Sequence, residues 1–219
     1  MNVTQKMKRK DFERLKKRAF KINSALKKLF PKARIILNYR NHWELLVAVQ
    51  LSAQCTDIMV NKVTEKLFKK YRTLDDYIKA KPKEFEEDVY STGFYRNKTK
   101  NILAAAKMIK KKYNGNIPKT MEELLRVPGV ARKTANVVLG NAHGIIEGIA
   151  VDTHVKRLAR VLGLSKENSP EKIERDLMEL LPKKEWFHFT YRVIEYGRKY
   201  CVARPHTHAR CPLARFHHV

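Results

Sequence analysis

Apolar residues return at the three- and four-residue spacing of an amphipathic helix along most of this chain. Between residues 10 and 30, apolar positions follow this spacing from Phe12 to Leu29, with lysines and arginines between them. Residues 43–54 are apolar on most sides, which predicts a buried helix. The same spacing predicts further helices at 56–70, 74–80, 83–90 and 97–113. The alternation typical of strands is almost absent, so the pattern predicts an all-α protein.

Residues that favour helix starts support the same interpretation. Thr120 and Glu123 have the spacing of a capping box, in which each side chain caps the other residue's backbone N–H. Ser169 precedes Pro170 and Glu171, so an N-cap residue is followed by a proline and an acid that suit a first helical turn. The chain has eight glycines, eight prolines and no low-complexity linker. Any division into lobes must therefore arise from helix packing.

The charge of the chain adds a class of partner to this picture. The 219 residues include 47 lysines and arginines against 22 aspartates and glutamates, a formal net charge of +25. A folded chain with such a field is expected to bind a polyanion, most often nucleic acid, although a basic surface can also serve solubility alone. The hydrophobic fraction of 43% excludes a disordered tail.

The sequence also predicts an intracellular protein. No stretch approaches the roughly 18 apolar residues of a transmembrane helix, and the N-terminal segment lacks the apolar region of a signal peptide. Cys55, Cys201 and Cys211 are too few for a disulfide framework. A reducing compartment is the simplest inference from these features.

The segment LRVPGVARKTAN at residues 125–136 predicts two helices joined by a tight turn. Pro128 and Gly129 favour the turn, and a second helix should begin near Arg132. The backbone N–H groups at the start of that helix are free of helical partners and, with the helix dipole, form an anion site. On a chain of this charge the expected anion is a DNA phosphate, which positions a duplex without reading its sequence. A plain helix corner would show the same turn residues.

A lysine and an aspartate then fall at two successive helix starts. Lys133 opens the second hairpin helix, and Asp152, nineteen residues later, opens the next one. A neutral lysine amine is a nucleophile, and a carboxylate can stabilise a developing positive charge. The structural alternatives are a helix-capping role for Asp152, a surface position for Lys133 and a hydrogen-bonding role for His154.

At these residues the chain resembles endonuclease III, a DNA glycosylase and abasic-site lyase of the helix-hairpin-helix superfamily. The resemblance covers about residues 35–213 and rests on four motifs in the family's order. They are LSAQCTD at 51–57, GFYRNK at 93–98, VPGVARKTANVVL at 127–139 and IAVDTH at 149–154.

The resemblance implies a role for each matching residue. Lys133 would attack C1′ of a flipped damaged nucleotide, expel the base and form a Schiff base, and β-elimination would then nick the strand. Asp152 matches the family's essential aspartate. Gln54 would enter the space left by the extruded base, and Phe94, where the family commonly has leucine, would wedge the opened duplex. Both would offset the few kcal/mol that base extrusion costs. The structural alternatives are a buried polar group of a helix for Gln54 and a core residue for Phe94.

The hairpin departs from the commoner family form at one position. The hairpin has Ala131 at the third position of Gly129-Val130-Ala131, where the commoner family form has glycine. Alanine can adopt the conformation that starts the second helix, so we expect the hairpin to bind DNA through Gly129, Ala131, Arg132 and Thr134.

The C-terminal loop departs further. The family usually holds a [4Fe–4S] cluster with four cysteines spaced C-x6-C-x2-C-x5-C. This chain has Cys201, His208, Cys211 and His217 at that spacing. A [4Fe–4S] cluster normally takes four thiolates, so we predict that it is absent. Two cysteines and two histidines suit zinc, and a Rieske-type iron–sulfur centre takes the same donors in other motifs.

A loop with no metal is the remaining alternative at this position. His206 and His218 could compete as ligands. No metal is expected to be required for the reaction itself.

The fold implied by the resemblance is a two-lobed, all-α glycosylase. A six-helix barrel with the helix-hairpin-helix is expected at residues 36–147, and a second helical domain at 1–35 and 148–219. DNA would lie in the cleft, with Lys133 and Asp152 on its two sides. The predicted function is base-excision repair of oxidised pyrimidines by a monomer that binds damaged or abasic duplex DNA in the cytoplasm, associated with the nucleoid.

Three other functions remain open at this stage. A monofunctional mismatch glycosylase would share the fold, but such relatives usually lack a lysine at the position of Lys133. A non-catalytic nucleic-acid-binding helix-hairpin-helix module would bind with steep salt dependence and turn over nothing. A third alternative is a metal or redox sensor built on the C-terminal loop.

Overall fold

A computed structural model describes residues 9–217, which contain α-helices and no strand. The α-helices of this range are α1 (Arg9–Leu29), α2 (His42–Leu51), α3 (Asp57–Lys70), α4 (Leu74–Lys79), α5 (Pro82–Val89), α6 (Tyr95–Tyr113), α7 (Met121–Leu125), α8 (Arg132–Val138), α9 (Thr153–Val161), α10 (Pro170–Leu180) and α11 (Lys183–Lys199). Short 3-10 turns lie at Tyr90–Thr92, His208–Arg210 and Ala214–Phe216, and a π-helical turn lies at Leu139–His143. The prediction of an all-α chain is confirmed.

The contacts between Cα atoms divide the chain into two compact units. One unit is Ile36–Glu147 and contains α2 to α8. The other combines the described residues on either side, 9–35 and 148–217, and contains α1 and α9 to α11. The first helix of the chain therefore belongs with the last three. Of the helices in residues 9–217, none is long and apolar enough to cross a membrane.

Helix α2 is the buried centre of the unit Ile36–Glu147. Eight of its ten residues are buried, which agrees with the apolar pattern that predicted a buried helix. The helix ends at Leu51, three residues before the predicted end. The reason is a turn over residues 52–55, in which Gln54 adopts a left-handed conformation with φ of 52°. Since a right-handed helix cannot continue through that conformation, the following residues start a new helix.

Two predicted helix starts differ in detail from the sequence pattern. The Thr120 side chain caps the backbone N–H of Glu123, but the hydroxyl of Thr120 also donates to the Glu123 carboxylate. Ser169 occupies the N-cap of α10, yet its hydroxyl donates to Glu171 and makes no cap hydrogen bond. In each case a neighbouring carboxylate accepts a hydrogen bond from the hydroxyl group, which changes the capping interaction that the pattern predicted.

The second unit is held together by an apolar core and by a largely buried ion pair. Ile22 and Leu26 of α1 are fully buried in this core. Arg192 of α11 donates to Glu185 at 2.6 Å and to the Asn23 side chain at 3.3 Å, which joins α11 to α1. Gly197 lets α11 approach α9 closely: a Cβ atom at this position would lie 2.6 Å from His154 Nδ1.

Candidate active site

The hairpin between α7 and α8 forms as the sequence predicts. The N–H of Val130 donates to the carbonyl of Val127 at 3.1 Å, and α8 begins at Arg132. Gly129 has φ of 76°, and a Cβ atom here would lie 2.8 Å from Cβ of Asn101 on α6. Glycine is required for two reasons, because other residues disfavour this backbone conformation and because the turn packs directly against α6.

The N-terminus of α8 presents backbone N–H groups. Ala131 is the N-cap residue in an extended conformation, and its methyl side chain cannot cap those groups. The helix runs on into the π-helical turn Leu139–His143, so the aligned peptide dipoles extend beyond the seven residues of α8 itself. This end of the helix therefore attracts an anion.

Lys133 lies in the first turn of α8. Its side chain is half-buried, and it forms no salt bridge with any carboxylate in residues 9–217. A lysine without a carboxylate partner is not held in a fixed ion pair. Its amine is therefore available for nucleophilic attack once it is deprotonated.

Asp152 is the N-cap of α9, in the other unit. Its Oδ1 accepts a hydrogen bond from the N–H of Val155 at 2.8 Å. The capping role that the sequence left as an alternative is therefore present. The other carboxylate oxygen, Oδ2, makes no hydrogen bond within residues 9–217, so the cap leaves one oxygen for a ligand. His154 packs next to Gly197.

Gln54 and Phe94 share an unusual backbone conformation in the unit Ile36–Glu147. They account for two of the three non-glycine residues with positive φ in the described chain, at 52° and 49°. Such conformations cost about 1–3 kcal/mol each and concentrate at functional sites. Both side chains are exposed, Phe94 by 64%, so Phe94 is not a core residue. They line one cavity of about 250 Å³, which Gly129 of the hairpin also lines.

Lys98 holds the two strained segments together, a role that the sequence analysis did not identify. Its ammonium Nζ donates to the carbonyl of Leu51, at the end of α2, and to the carbonyl of Thr92, two residues before Phe94. Both distances are 2.8 Å and both bonds are buried. Burial lowers the pKa of Lys98, and the Cys55 thiol opposes part of that shift. The lysine ends the GFYRNK motif, so its place in that block was the one available signal.

Gln50 connects the hairpin to the same cavity and was also missed. Its Nε2 donates to the carbonyl of Pro128 at 2.9 Å. Its Oε1 is buried with no hydrogen-bond partner among the described residues. A glutamine within the apolar run of α2 was the signal that could have identified it, because a buried amide normally needs partners. Asn97 and Asn101 complete the polar lining of the cavity.

The C-terminal loop brings together four side chains of the types that can bind a metal ion. The donor atoms of Cys201, His206, His208 and Cys211 lie within 4.8 Å of one another. His217, which the family spacing places in the ligand set, is not in this group, and His206 takes its place. The ring of His217 instead packs against that of His208, with 4.6 Å between the centroids. His218 lies outside the described residues.

This donor set does not fit the four-cysteine iron–sulfur cluster that is usual in the family that the sequence motifs resemble. A [4Fe–4S] cluster takes four thiolates, and the group contains two thiols and two imidazoles. Cys55, the remaining cysteine of the chain, belongs to the unit Ile36–Glu147, whereas the loop belongs to the other unit.

The helical fold with its hairpin is that of a class of DNA repair proteins. The model of the HhH-GPD superfamily of base excision DNA repair proteins matches residues 47–183, more than half of the chain. The chain is 51% identical to the endonuclease III of Synechocystis sp. over 199 residues, which cover 91% of each protein. It therefore belongs to the endonuclease III family.

Two solved structures are similar to the chain over nearly its whole length. One is a non-covalent complex of endonuclease III with DNA, and the other is a trapped covalent intermediate of endonuclease III with DNA. Each has a TM-score of 0.89 and 45% sequence identity, and each match covers 92% of this chain. The match covers 94% of the first structure's protein chain and 95% of the second's.

Proposed function

We propose that this protein is a bifunctional DNA glycosylase and abasic-site lyase that removes oxidised pyrimidines from duplex DNA in base-excision repair. The observation that carries the proposal is Lys133, a half-buried lysine without a salt bridge among the described residues, in the first turn of the second hairpin helix. Membership of the endonuclease III family supports it. So does the trapped covalent intermediate with DNA in a structure that is 45% identical.

Lys133 is the proposed nucleophile. Its neutral amine attacks C1′ of the damaged nucleotide, the bond from C1′ to the base breaks, and the base leaves with its electron pair. Loss of the amine proton and opening of the sugar ring produce an imine that joins Nζ to C1′. Removal of a proton from C2′ then expels the 3′ phosphate by β-elimination, which cleaves the strand.

Asp152 is proposed to stabilise the positive charge that develops on the sugar as the base leaves. Its cap to Val155 fixes the carboxylate, and the second oxygen is available for this interaction. A preorganised charge of this kind costs no reorganisation during the reaction. The cap and the catalytic role are therefore compatible in one side chain.

Gln54 and Phe94 are proposed to fill the duplex when the damaged base is extruded. Extrusion costs a few kcal/mol in lost stacking and pairing. The aromatic ring of Phe94 is exposed and can stack on the neighbouring base, while the amide of Gln54 can replace the lost pairing partner. The left-handed backbone at both positions fixes these side chains before DNA binds.

The hairpin is proposed to hold a backbone phosphate. Gly129, Ala131, Arg132 and Thr134 form the turn and the first turn of α8, where the peptide dipoles favour an anion. The net charge of +25 adds a salt-dependent attraction to DNA of any sequence. Binding at this hairpin positions the duplex, and the lesion determines where the reaction occurs.

The proposed chemistry needs no metal or organic cofactor. The nucleophile, the stabilising charge and the gap-filling groups are all side chains of the chain itself. The proposal includes the absence of a [4Fe–4S] cluster, because the loop has two thiols where the cluster needs four. Since duplex DNA is the proposed substrate, the proposal also assigns the protein to the cytoplasm, in association with the nucleoid.

Borohydride trapping tests this function directly. The protein is incubated with borohydride and a duplex that contains one thymine glycol, beside the same duplex without damage. Reduction of the imine should leave a covalent protein–DNA adduct that depends on the lesion. Lys133→Ala should form no adduct while it still binds the duplex. Lys119→Ala, which removes an exposed lysine near the hairpin, is the matched control and should react as the wild type does.

Three results would contradict parts of the proposal. Base release without an adduct would make the enzyme monofunctional and remove the role of Lys133. Binding without either reaction would favour a non-catalytic DNA-binding module. Normal strand cleavage by Lys133→Ala would show that another group is the nucleophile.

The variant Asp152→Asn separates charge from capping. Asparagine caps helices as well as aspartate does, so the hydrogen bond to Val155 should persist and the melting temperature should stay close to that of the wild type. Base release should slow strongly, because the amide carries no charge. If the variant melts earlier but releases the base at the normal rate, Asp152 acts only as a cap.

A further inference from the structure

The C-terminal loop contains four metal-ligating donor atoms that all lie within 4.8 Å of one another. Cys201 Sγ lies 3.8 Å from His208 Nδ1, and Cys211 Sγ lies 4.0 Å from the same nitrogen and 3.4 Å from His206 Nε2. Four ligands around a tetrahedral zinc ion, with Zn–S of about 2.3 Å and Zn–N of about 2.0–2.1 Å, stand about 3.4–3.8 Å apart. These three separations are thus close to the edges of such a tetrahedron, and the whole group, within 4.8 Å, needs only a small contraction to close on one ion.

We propose that this loop binds one Zn²⁺ through Cys201, His206, His208 and Cys211. Tetrahedral sites with two sulfur and two nitrogen donors are typical of zinc or of an iron–sulfur centre, and the arrangement of the donors favours zinc. All four positions are filled by protein side chains, so the site has no open position for a substrate and is structural. It is separate from the residues of the proposed function.

His206 has the outer hydrogen bond that zinc-bound histidines require. Its Nδ1 lies 3.0 Å from the carbonyl oxygen of Arg204. A carbonyl only accepts, so Nδ1 must carry the proton and donate it. The lone pair is then on Nε2, the nitrogen that faces Cys211. A backbone carbonyl that fixes the tautomer in this way is the usual outer partner of a metal-bound histidine.

The two sulfur atoms are held in a setting that suits bound thiolates. Cys201 and Cys211 are 0% and 5% exposed, within the apolar core of their unit. The guanidinium of Arg157 donates to Cys201 Sγ at 3.7 Å and also to the Cys201 carbonyl. A buried thiolate is costly unless it is paired. A divalent ion and a fixed arginine supply that pairing.

The backbone of the loop contains little regular secondary structure. After α11 ends at Lys199, residues 200–217 contain two 3-10 turns of three residues and no α-helix. A metal that joins residue 201 to residues 206, 208 and 211 would close the loop on itself and on α11. Metal binding to such a loop contributes directly to the free energy of folding.

An iron–sulfur centre of the Rieske type uses the same donor types but a different arrangement. There the two histidines bind one iron and the two cysteines bind the other, so the length of the two-iron core separates the pairs. In this loop Cys211 Sγ is in contact with nitrogens of both histidines. A sulfur atom that lies close to both histidine nitrogens fits a site with one metal ion and not a site with two.

Metal analysis of the purified, untagged full-length protein tests the proposal. After dialysis against a weak chelator, the wild type should retain one zinc per chain and no iron or acid-labile sulfide. Replacing the zinc by Co²⁺ should produce the visible bands of a tetrahedral ion and a thiolate charge-transfer band. Removal of zinc by a strong chelator should lower the melting temperature.

Matched histidine variants identify the ligands. His206→Ala and His208→Ala should lose affinity for Zn²⁺ by at least about 10–100-fold, the loss caused by removing an outer partner alone. His217→Ala and His188→Ala, the second an exposed histidine on α11, should retain the wild-type affinity. Half-exposed histidines are chosen because replacing the buried cysteines could unfold the unit.

Several results would overturn the proposal. They are a wild-type protein that binds no zinc after reconstitution, stoichiometric iron with acid-labile sulfide, or zinc that is lost in His217→Ala and retained in His206→Ala. Circular dichroism of each variant distinguishes loss of a ligand from loss of the fold. Glycosylase activity is not the readout, so failure of this proposal would leave the proposed function standing, and the reverse is also true.

Discussion

Replacing Lys98 by methionine should destabilise the unit Ile36–Glu147 and disturb Gln54 and Phe94 together. Methionine has a similar length and no charge, so the stem of the side chain remains while the ammonium is lost. That ammonium supplies the buried hydrogen bonds to the carbonyls of Leu51 and Thr92, each 2.8 Å long. One substitution therefore releases both segments that carry the strained residues.

The magnitude follows from those two carbonyls. A buried acceptor that loses its partner costs about 1–3 kcal/mol, so two cost about 2–6 kcal/mol. Removal of the buried ammonium recovers part of this, because its own desolvation penalty disappears. We expect a net loss of about 2–4 kcal/mol in the free energy of unfolding. At about 2–4 °C per kcal/mol for a chain of this size, the melting temperature should fall by about 4–16 °C.

Lys98→Met should also slow base release in a substrate-dependent way. If the released segments relax from the left-handed conformation, the strain of about 1–3 kcal/mol per residue must be supplied when DNA binds and no longer by folding. The effect should be about tenfold or more on a lesion in a fully paired duplex. It should be smaller on a lesion opposite a mismatch, because extrusion is then easier.

Single-turnover base release on the two duplexes, with thermal denaturation, checks both expectations. Lys100→Met, an exposed lysine on the same helix, is the control and should change neither quantity. An unchanged melting temperature in Lys98→Met would refute the argument about the two carbonyls. A lower melting temperature with equal slowing on both duplexes would show that Lys98 is a core residue with no role in positioning.

Three further variants test other parts of the structure. Gly129→Ala should weaken duplex binding and lower the free energy of unfolding by about 1–2 kcal/mol through its left-handed φ alone. Filter binding equal to that of the wild type would contradict the requirement for glycine in the hairpin. Gly197→Ala should destabilise the second unit by about 1–3 kcal/mol through overpacking against His154, and urea denaturation with an unchanged midpoint would count against it. Burial raises the pKa of Glu185, but the hydrogen bonds from Arg192 and Asn23, with the positive charges of Arg192 and Lys27, together outweigh burial and lower the pKa. The stability that Glu185 contributes is therefore fully present above its unfolded pKa of about 4.3 and is lost as the pH falls through the lower folded pKa. Between pH 5 and 2, about the range in which the Glu185 carboxylate titrates, Glu185→Gln should lose less stability than the wild type. Acid denaturation curves of the two proteins that run parallel would show that the ion pair does not cause the loss of stability in acid.

The helices and the hairpin could be predicted from the sequence because their determinants are local. Apolar spacing identifies a helix face within a few turns, and Pro128 with Gly129 identifies the turn between α7 and α8. The position of Lys133 at a helix start follows from the same local pattern. The buried character of α2 was equally visible, because residues on all its sides are apolar.

The misplaced end of α2 shows where local reasoning stops. Nothing in the apolar run signals that Gln54 is left-handed. The turn is stabilised by Lys98, 47 residues beyond Leu51 in the chain. A contact across that distance has no periodicity from which it could be predicted.

The sequence by itself determined the all-α class, the hairpin and the types of side chain available for chemistry. The tertiary structure alone decided which of them meet. It joined Gln50 to the hairpin, tied the Gln54 and Phe94 segments to one ammonium, and put His206 in place of His217 beside the two cysteines. The physical reason is that helix hydrogen bonds connect residues four apart, whereas a cavity or a metal site needs donors whose separation is set by the packing of the whole unit.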